Sequence, residues 1–377
     1  MVLRVGLVGC GTISDIYLAN APRFRDIAVV ACADLRPEAT ARQAAAYGIA
    51  ARDTDELLAS PDIDIVLNLT VPDAHAAVSL AALAAGKHVY SEKPLATTLA
   101  DGLAIKRSAD GSGLRIGAAP DTVLGAAVQE ARRRIDAGAI GRPLFGVATV
   151  LSHGMEDWHP NPGFFFRAGG GPVFDMGPYY LTTLVTLLGP VASVSATAQT
   201  GSVERIVSAE GSPLKGSRIP VGTPTTLSAL LSFASGAEVA FLVSWDVWRH
   251  GMLPLELHGT EGSVRLPDPN WFGGDVAVAT GRGEWRTTAT SKRVFGRPNW
   301  PRDEPIHANH RGLGLAEMAR AIVEGRPHRA SGDLALHVLA VMAAILRAAE
   351  TRAPVAISQS CMRPEPLGEA EAAILLA

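Results

Sequence analysis

The chain has 377 residues, 47% of them hydrophobic and 19% charged, with a net charge of −3. That composition supports a packed core and excludes a disordered chain; the near-balanced charge, with no long basic run, gives no support to nucleic-acid or membrane-surface binding. No run of about 18 uncharged apolar residues marks a membrane span, and the strand-like start Met-Val-Leu-Arg-Val-Gly lacks the regions of a signal peptide.

The first expected element is an apolar strand over Leu3–Val8, followed by Gly9-Cys10-Gly11-Thr12-Ile13-Ser14 and a helix over Ile13–Ala19. Glycines there let the chain turn tightly and let a pyrophosphate approach the backbone, and the helix start directs its free N–H groups at that phosphate. Gly9, Gly11, Thr12 and Ile13 are therefore expected on the phosphate side of a dinucleotide. A second strand, Ala28–Ala33, ends in Asp34, 23 residues beyond Gly11. A carboxylate there accepts from both ribose hydroxyls of NAD and repels a 2′-phosphate, while Arg36 softens the exclusion of NADP. Strands over Ile65–Leu69, His88–Ser91 and Arg115–Ala118 alternate with helices over Pro37–Ala46, Asp55–Ala59, Ala74–Ala85 and Leu99–Ser108. That alternation predicts a doubly wound parallel sheet, with ligands beyond the carboxyl ends of its strands.

Two strand ends stand out. Thr70-Val71-Pro72-Asp73-Ala74-His75 leaves one strand and opens a helix, with Asp73 a candidate N-cap; it also reads as an ordinary capped turn. Thr70, Pro72 and His75 would face the cofactor. Ser91-Glu92-Lys93-Pro94 follows the next strand and places an acid and a base at the sheet edge, Pro94 fitting a cis turn. A Lys93 in a half-buried cleft beside a nicotinamide is expected to have a lowered pKa, letting it take a hydroxyl proton or hold an alkoxide. An ordinary solvated Glu–Lys pair is the competing reading.

Beyond residue 120 the texture changes. A helix over Leu124–Ala137 precedes alternating strands at Leu144–Leu151, Val191–Ala198, Thr226–Phe233, Glu238–Ser244, Leu255–His258 and Ser263–Leu266. Hairpins such as Gly259-Thr260-Glu261-Gly262 imply a large, mostly antiparallel open sheet, one face of which self-association would cover. Gly201–Thr225 reads as a long surface loop, Tyr179–Leu188 as an inserted helix, and Leu313–Glu324 and Gly332–Ala349 as closing helices. The fold class is thus α/β: a doubly wound nucleotide-binding domain over 1–120 and an α+β domain with a large open sheet over 121–377, whose closing helices are free to pack back on the first domain. In the second domain, Gly169–Tyr179 sets Asp175 and Tyr179 four residues apart across a helix start, so both can face one site. His153, Glu156, Asp157, Trp158 and His159 form a candidate polar, aromatic wall for a polyhydroxyl substrate; their spacing matches no metal pattern, and no metal is expected. Asn309-His310-Arg311-Gly312 either caps a helix or reaches the site. The three cysteines, Cys10, Cys32 and Cys361, read as reduced thiols of a cytoplasmic protein.

Taken together, Gly9–Ser14, Thr70–His75, Glu92-Lys93-Pro94-Leu95, Gly169–Tyr179 and the Gly259–Gly262 hairpin resemble the Gfo/Idh/MocA oxidoreductases over nearly the whole chain. The resemblance implies that residues 1–120 are an NAD(P)-binding Rossmann domain and 121–377 a substrate-binding and oligomerisation domain. It also implies hydride transfer between NAD(P) and a sugar or cyclitol, with Lys93 on the reacting oxygen, Asp175 aiding proton transfer, and a homodimer or homotetramer built through the second sheet. Glu92 and Lys93 would border the cofactor, and His153, Trp158 and His159 the substrate. Two departures mark this chain. Tyr179 stands where the family carries a histidine base, and a tyrosine with its ordinary pKa of about 10 is a poor base at neutral pH. Ala119-Pro120-Asp121-Thr122 replaces an aromatic and basic run, so that Asp121 would add a carboxylate to the cleft and favour a neutral polyol. The nearest activity is that of an aldose dehydrogenase. An NAD-dependent glycosidase and a non-catalytic cofactor sensor are the other readings.

Overall fold

The computed structural model describes residues 1–377. Its first half alternates β1 (Leu3–Val8), α1 (Ser14–Asn20), β2 (Ile27–Ala33), α2 (Pro37–Tyr47), β3 (Ala50–Ala51), α3 (Thr54–Ala59), β4 (Ile65–Asn68), α4 (His75–Ala84), β5 (His88–Ser91), α5 (Leu99–Ser112) and β6 (Ile116–Ala118). The six strands form a parallel sheet in the order β3-β2-β1-β4-β5-β6. β4 is buried at every position and β1 and β5 at all but one, as strands covered by helices on both faces must be. The direction of the strand order reverses between β1 and β4, where a crevice opens beyond their carboxyl ends.

The second half comprises α6 (Ala126–Asp136), β7 (Pro143–Leu151), α7 (Gly171–Asp175), α8 (Gly177–Leu188), β8 (Val191–Gln199), β9 (Glu204–Ile206), β10 (Arg218–Pro220), β11 (Thr226–Phe233), β12 (Glu238–Ser244), β13 (Leu255–Gly259), β14 (Gly262–Leu266), β15 (Val276–Thr280), β16 (Arg286–Thr288), α9 (Leu313–Glu324), α10 (Gly332–Thr351), β17 (Val355–Ala356) and α11 (Glu369–Ile374). Nine strands form one sheet, β16-β15-β14-β13-β7-β12-β11-β8-β17, antiparallel except where β12 meets β7. β11 shows why one face is open: Leu227, Ala229, Leu231 and Phe233 point inward, while Ser228 and Leu230 face solvent. α8 lies beneath the sheet with all twelve residues buried.

The structure departs from the sequence-based expectations in several places. Gly201–Thr225 is not simply a loop, since β9 and β10 pair within it as an antiparallel hairpin. β3, α7, β15, β16, β17 and α11 have no counterpart in the sequence-based expectations; they are short, six residues at most. Asp73 caps nothing: it lies inside a 3-10 turn, Pro72–Ala74, with no capping hydrogen bond. α10 has the length and hydropathy of a membrane span, but two-thirds of that stretch is buried as a core helix between the two domains.

The closing helices join the domains. The backbone N–H of Ala118 donates to Ala330 O at 3.1 Å, and a bridge forms between Gly117 and Ser331, so the chain end flanks β6. Asn20 Nδ2 donates to the carbonyls of Asn309 and Arg311 at 3.0 Å each. One continuous apolar core runs through both domains, with a smaller one around Trp245, Phe166 and Met155.

Candidate active site

At the switch point the Gly9 and Leu69 loops touch. Gly9 has φ of 105°, and a Cβ there would sit 2.5 Å from the Leu69 carbonyl group, so only glycine fits. Gly11 differs: nothing lies within 4 Å of where its Cβ would be, leaving open space over the backbone. Ser14, the third small position, is buried, donates to Gly11 O at 2.6 Å and accepts from Gln43 at 2.8 Å. Thr12 is exposed and Ile13 half-buried beside it. Asp34 projects from the end of β2, its Oδ2 accepting from Cys10 N at 2.8 Å and its Oδ1 from Arg36 N at 2.9 Å. Arg36 Nε also donates to Oδ1 at 3.4 Å, so Oδ2 is the oxygen that keeps a lone pair for a ribose hydroxyl. Leu35 is 96% and Val71 61% exposed, offering apolar surface after β2 and β4 for a flat ring. A glycine cradle, a carboxylate and these two side chains fit NAD: Gly9, Gly11, Thr12 and Ile13 would hold its phosphates, and Asp34 and Arg36 its ribose.

The reactive centre lies beyond β5. The Lys93–Pro94 bond is cis. Lys93 Nζ donates to Asp175 Oδ1 at 2.8 Å and to Asp175 O at 2.9 Å, and stands 5.2 Å from the centre of the Tyr179 ring. Lys93, Asp175 and Tyr179 therefore converge as expected, carried by the β5 turn, the end of α7 and the first turn of α8. The lowered Lys93 pKa does not hold. Burial pushes it down, but the Asp175 carboxylate, with Tyr179 and Glu92, more than offsets this and holds the ammonium well above its ordinary value. The expectation counted burial and a cationic ring but not a carboxylate in direct contact.

Several other assignments change. Glu92 is buried, its Oε1 accepting from Tyr17 OH at 2.8 Å and its Oε2 from Lys93 N at 2.9 Å, so it anchors the turn from inside and does not border the cofactor. His75 is 1% exposed and both its ring nitrogens meet backbone carbonyls, leaving no atom for a cofactor. Thr70 Oγ1 donates to Asn68 Oδ1 at 2.7 Å, while Pro72 lines the cleft. Asp121 adds no carboxylate to the cleft. It is 1% exposed, and its Oδ2 accepts from the N–H groups of Gly312 and Gly314 at 2.9 Å each, at the start of α9. Burial pushes its pKa up to about 6, against these two hydrogen bonds and the pull of Arg311.

The cavity beside Lys93 measures about 250 Å³ and is lined by Val71, Pro72 and Asp73, by Lys93 and Pro94, and by a stretch of the second domain from Asn161 to Asp175. Its apolar wall is Phe164, Phe165 and Phe174, not the segment expected. His153 instead stacks on Trp248 with ring centres 3.6 Å apart, and His159 supports Phe164 and Phe165 edge-on at 5.5 and 5.1 Å. Trp158 is 62% exposed, edge-on to His159 outside the cavity. Glu156 is buried and paired with Arg205 at 2.9 Å. Sequence reasoning did not single out the Phe-Phe-Phe run 164–166, though three aromatics just before a glycine triplet were a signal for it. It left Arg311 open. That residue reaches the site: its Nη2 donates to Tyr179 OH at 3.2 Å and to Asn270 Oδ1 at 2.7 Å, and its Nη1 to Asn309 Oδ1 at 2.7 Å.

Comparison with known proteins agrees with this geometry. Residues 3–119 match an oxidoreductase family with an NAD-binding Rossmann fold, and residues 128–265 match the GFO/IDH/MocA C-terminal domain. Levoglucosan dehydrogenase of Pseudarthrobacter phenanthrenivorans is 28% identical over 85% of this chain and 87% of its own length. A dTDP-3,4-didehydro-2,6-dideoxy-alpha-D-glucose 3-reductase of Streptomyces violaceoruber is 33% identical over 70% of this chain and 72% of its own. The structure of a levoglucosan dehydrogenase in complex with NADH and levoglucosan superposes with a TM-score of 0.79 at 26% identity, covering 95% of this chain and all of that one. The chain therefore belongs to the Gfo/Idh/MocA family of NAD-dependent oxidoreductases.

Proposed function

We propose that this enzyme oxidises a ring hydroxyl of a neutral sugar or cyclitol, with NAD as the hydride acceptor, and that Lys93, Asp175 and Tyr179 carry the proton. The observation behind this reading is the Lys93–Asp175 contact at 2.8 Å, opening on a cavity walled by phenylalanines. Aromatic faces suit the C–H face of a sugar ring, and Asn161 and Asp73 supply hydrogen bonds at its rim. The relatives act on sugars by name, which supports the same class here. With Asp121 away from the cleft, a neutral substrate is favoured instead by the pairing of Lys93 and Asp175, which leaves the reacting end of the cavity without net charge.

When bound, NAD supplies the site that takes the hydride. The protein handles the proton. A charged Lys93 is a hydrogen-bond donor: it fixes the substrate oxygen and stabilises the negative charge that develops there. Lys93 first gives a proton to Asp175 Oδ1 along their hydrogen bond; the neutral amine so formed takes the proton of the substrate hydroxyl, which restores the ammonium and leaves the released proton on Asp175. Arg311 holds the Tyr179 hydroxyl and keeps its ring against Lys93; that ring takes the family histidine's position as a wall and relay.

In this reading, residues 1–120 form the cofactor domain and residues 121–377 the substrate and oligomerisation domain. The open sheet face, where Phe145 and Leu230 are exposed, serves a homodimer or homotetramer. The buried Cys10 and Cys32 thiols fit a cytoplasmic enzyme. The test is a panel of aldoses, inositols and anhydrosugars with NAD, read by NADH absorbance. Oxidation of at least one member, abolished by Lys93→Ala, is expected; undiminished oxidation by that variant would overturn the assignment.

A further inference from the structure

His75 opens α4 behind the active-site cavity, and its ring is sealed from solvent at 1% exposure. Nδ1 lies 2.7 Å from Pro94 O, and Nε2 lies 2.9 Å from Thr70 O. Both partners are peptide carbonyls, which only accept, so a neutral ring donates to one of them and only an imidazolium donates to both; burial pushes the ring's pKa down, against the two carbonyls and the Glu92 charge. Thr70 starts the loop after β4, and Pro94 belongs to the turn after β5. The two segments form adjacent walls of the cavity: Val71, Pro72 and Asp73 from the first, Lys93 and Pro94 from the second. One imidazole therefore spans, from behind, the loop on the cofactor side and the turn that carries Lys93.

The surroundings anchor this bridge at both ends. Asn68, itself fully buried, accepts from Thr70 Oγ1 at 2.7 Å and donates to His75 O at 3.0 Å and Ser79 Oγ at 3.1 Å. Thr70 and the start of α4 are thereby fixed to the end of β4. On the other side, Glu92 accepts from the Lys93 N–H. Between these anchors the ring of His75 sits as a spacer, its two nitrogens 2.7 Å from Pro94 O and 2.9 Å from Thr70 O.

We propose that His75 is a positioning residue: it sets the spacing between the Thr70 loop and the Lys93–Pro94 turn, and so aligns Lys93 with the place where the nicotinamide must lie. This rests on the reading of Lys93 as the group that meets the reacting hydroxyl. Misplacing a catalytic group by about an ångström costs on the order of 10²-fold in rate, so one bridging ring in this position has leverage over turnover without touching any reactant.

The two contacts separate experimentally, because two amide side chains each imitate one ring nitrogen. His75→Gln places an amide near Nε2, keeping the Thr70 contact and losing that to Pro94. His75→Asn places one near Nδ1, keeping Pro94 and losing Thr70. In the full-length enzyme, His75→Gln is expected to lower kcat about 10-fold while the Kd for NAD stays within about twofold, since one hydrogen bond is worth roughly that factor. His75→Asn is expected to raise the Kd for NAD about 5- to 10-fold, read by quenching of tryptophan fluorescence without turnover, with kcat at saturating NAD within about twofold. A merely structural histidine would lower Tm in both variants and move both parameters alike; that pattern, or wild-type values in both, overturns the proposal. Asn68→Ser loosens the Thr70 end without altering the ring and must reproduce the His75→Asn pattern, which keeps the question open to refutation if either histidine variant fails to fold. Full activity in Lys93→Ala would refute the catalytic reading by itself, while the NAD titration of His75→Asn would still decide whether the clamp exists.

Discussion

Replacing Asp175 by asparagine tests the electrostatics of the site most directly. The side chain keeps its shape and an acceptor for Lys93 but loses its charge. Lys93 and Asp175 each have only 17% of their side-chain surface exposed, and the charges sit 2.8 Å apart. At an effective dielectric of about 20, the bare attraction is about 6 kcal/mol. Much of that offsets the desolvation of both ions, and breaking one partner of a buried pair typically costs about 3–5 kcal/mol. Because the asparagine oxygen still accepts a hydrogen bond, about 3 kcal/mol is expected for the stability loss. The pH dependence has a definite sign. The Lys93 pKa is raised in the folded enzyme, so its stabilising contribution is complete below its unfolded pKa of about 10.4 and fades only as pH rises beyond it. The stability difference between wild type and Asp175→Asn should therefore be flat from pH 6 to 9 and shrink above pH 10. In the variant, burial acts on Lys93 with less opposition, so its pKa falls and the alkaline limb of kcat/KM moves to lower pH. The proton path to Asp175 is also lost, with an expected fall in kcat/KM of about 10²- to 10³-fold. Urea denaturation at several pH values, paired with the pH profile of NADH formation, reads both effects. A variant with an unshifted profile and kcat/KM within about threefold of wild type would refute the reasoning.

Three further outcomes are expected. Asp34→Ala should weaken NAD binding and strengthen NADP binding, moving their preference ratio by about 10²-fold with Arg36 left to meet a 2′-phosphate; fluorescence titration of both cofactors checks it, and an unchanged ratio contradicts the role of Asp34. Gly9→Ala, forced into positive φ against the Leu69 carbonyl, should cost at least about 2 kcal/mol in stability and abolish NAD-dependent stabilisation in a thermal shift assay. Asp121 is the opposite case to Asp175. Its folded pKa of about 6 exceeds the ordinary value of 3.8, so the folded state holds the extra proton and stability falls as pH rises through that window, by up to about 3 kcal/mol. Asp121→Asn, which can still accept from Gly312 and Gly314, should be more stable than wild type at pH 7 and lose that advantage near pH 4; equal stability at both pH values would contradict the assignment.

The parts of this molecule that could be read from sequence are those set by local pattern. The alternation of apolar strands with small-residue helices located all but one strand of the first sheet, missing only the two-residue β3. The positive φ of Gly9 and the place of Asp34 follow from the chemistry of binding a pyrophosphate and a ribose. What sequence did not show were relations across long separations. Arg311 meets Tyr179 across 132 residues, and no spacing rule connects them. Asp121 looked like a cleft residue because it follows a strand, yet α9 returns from the far end of the chain and takes its carboxylate. The segment around His153 carried the right residue types, but the neighbouring Phe164 and Phe165 form the wall, with His159 alone bracing it from behind and His153 turned to Trp248. Lys93 shows the same limit: its burial was foreseeable, but the sign of its pKa shift depended on a partner 82 residues away.

The return of the chain to its own beginning bears on any attempt to dissect this enzyme. Residues 330 and 331 run along the flank of β6, α9 claims the carboxylate of Asp121, and Asn20 ties α1 to the segment just before α9. A fragment cut at residue 120 would contain every residue that the glycine motif advertises, yet its sixth strand would be stripped of cover. A free-standing nucleotide module therefore cannot be obtained by truncation alone. A circularly permuted chain that rejoined residues 310–350 to the amino terminus would restore the missing side and yield a more faithful miniature of the cofactor half.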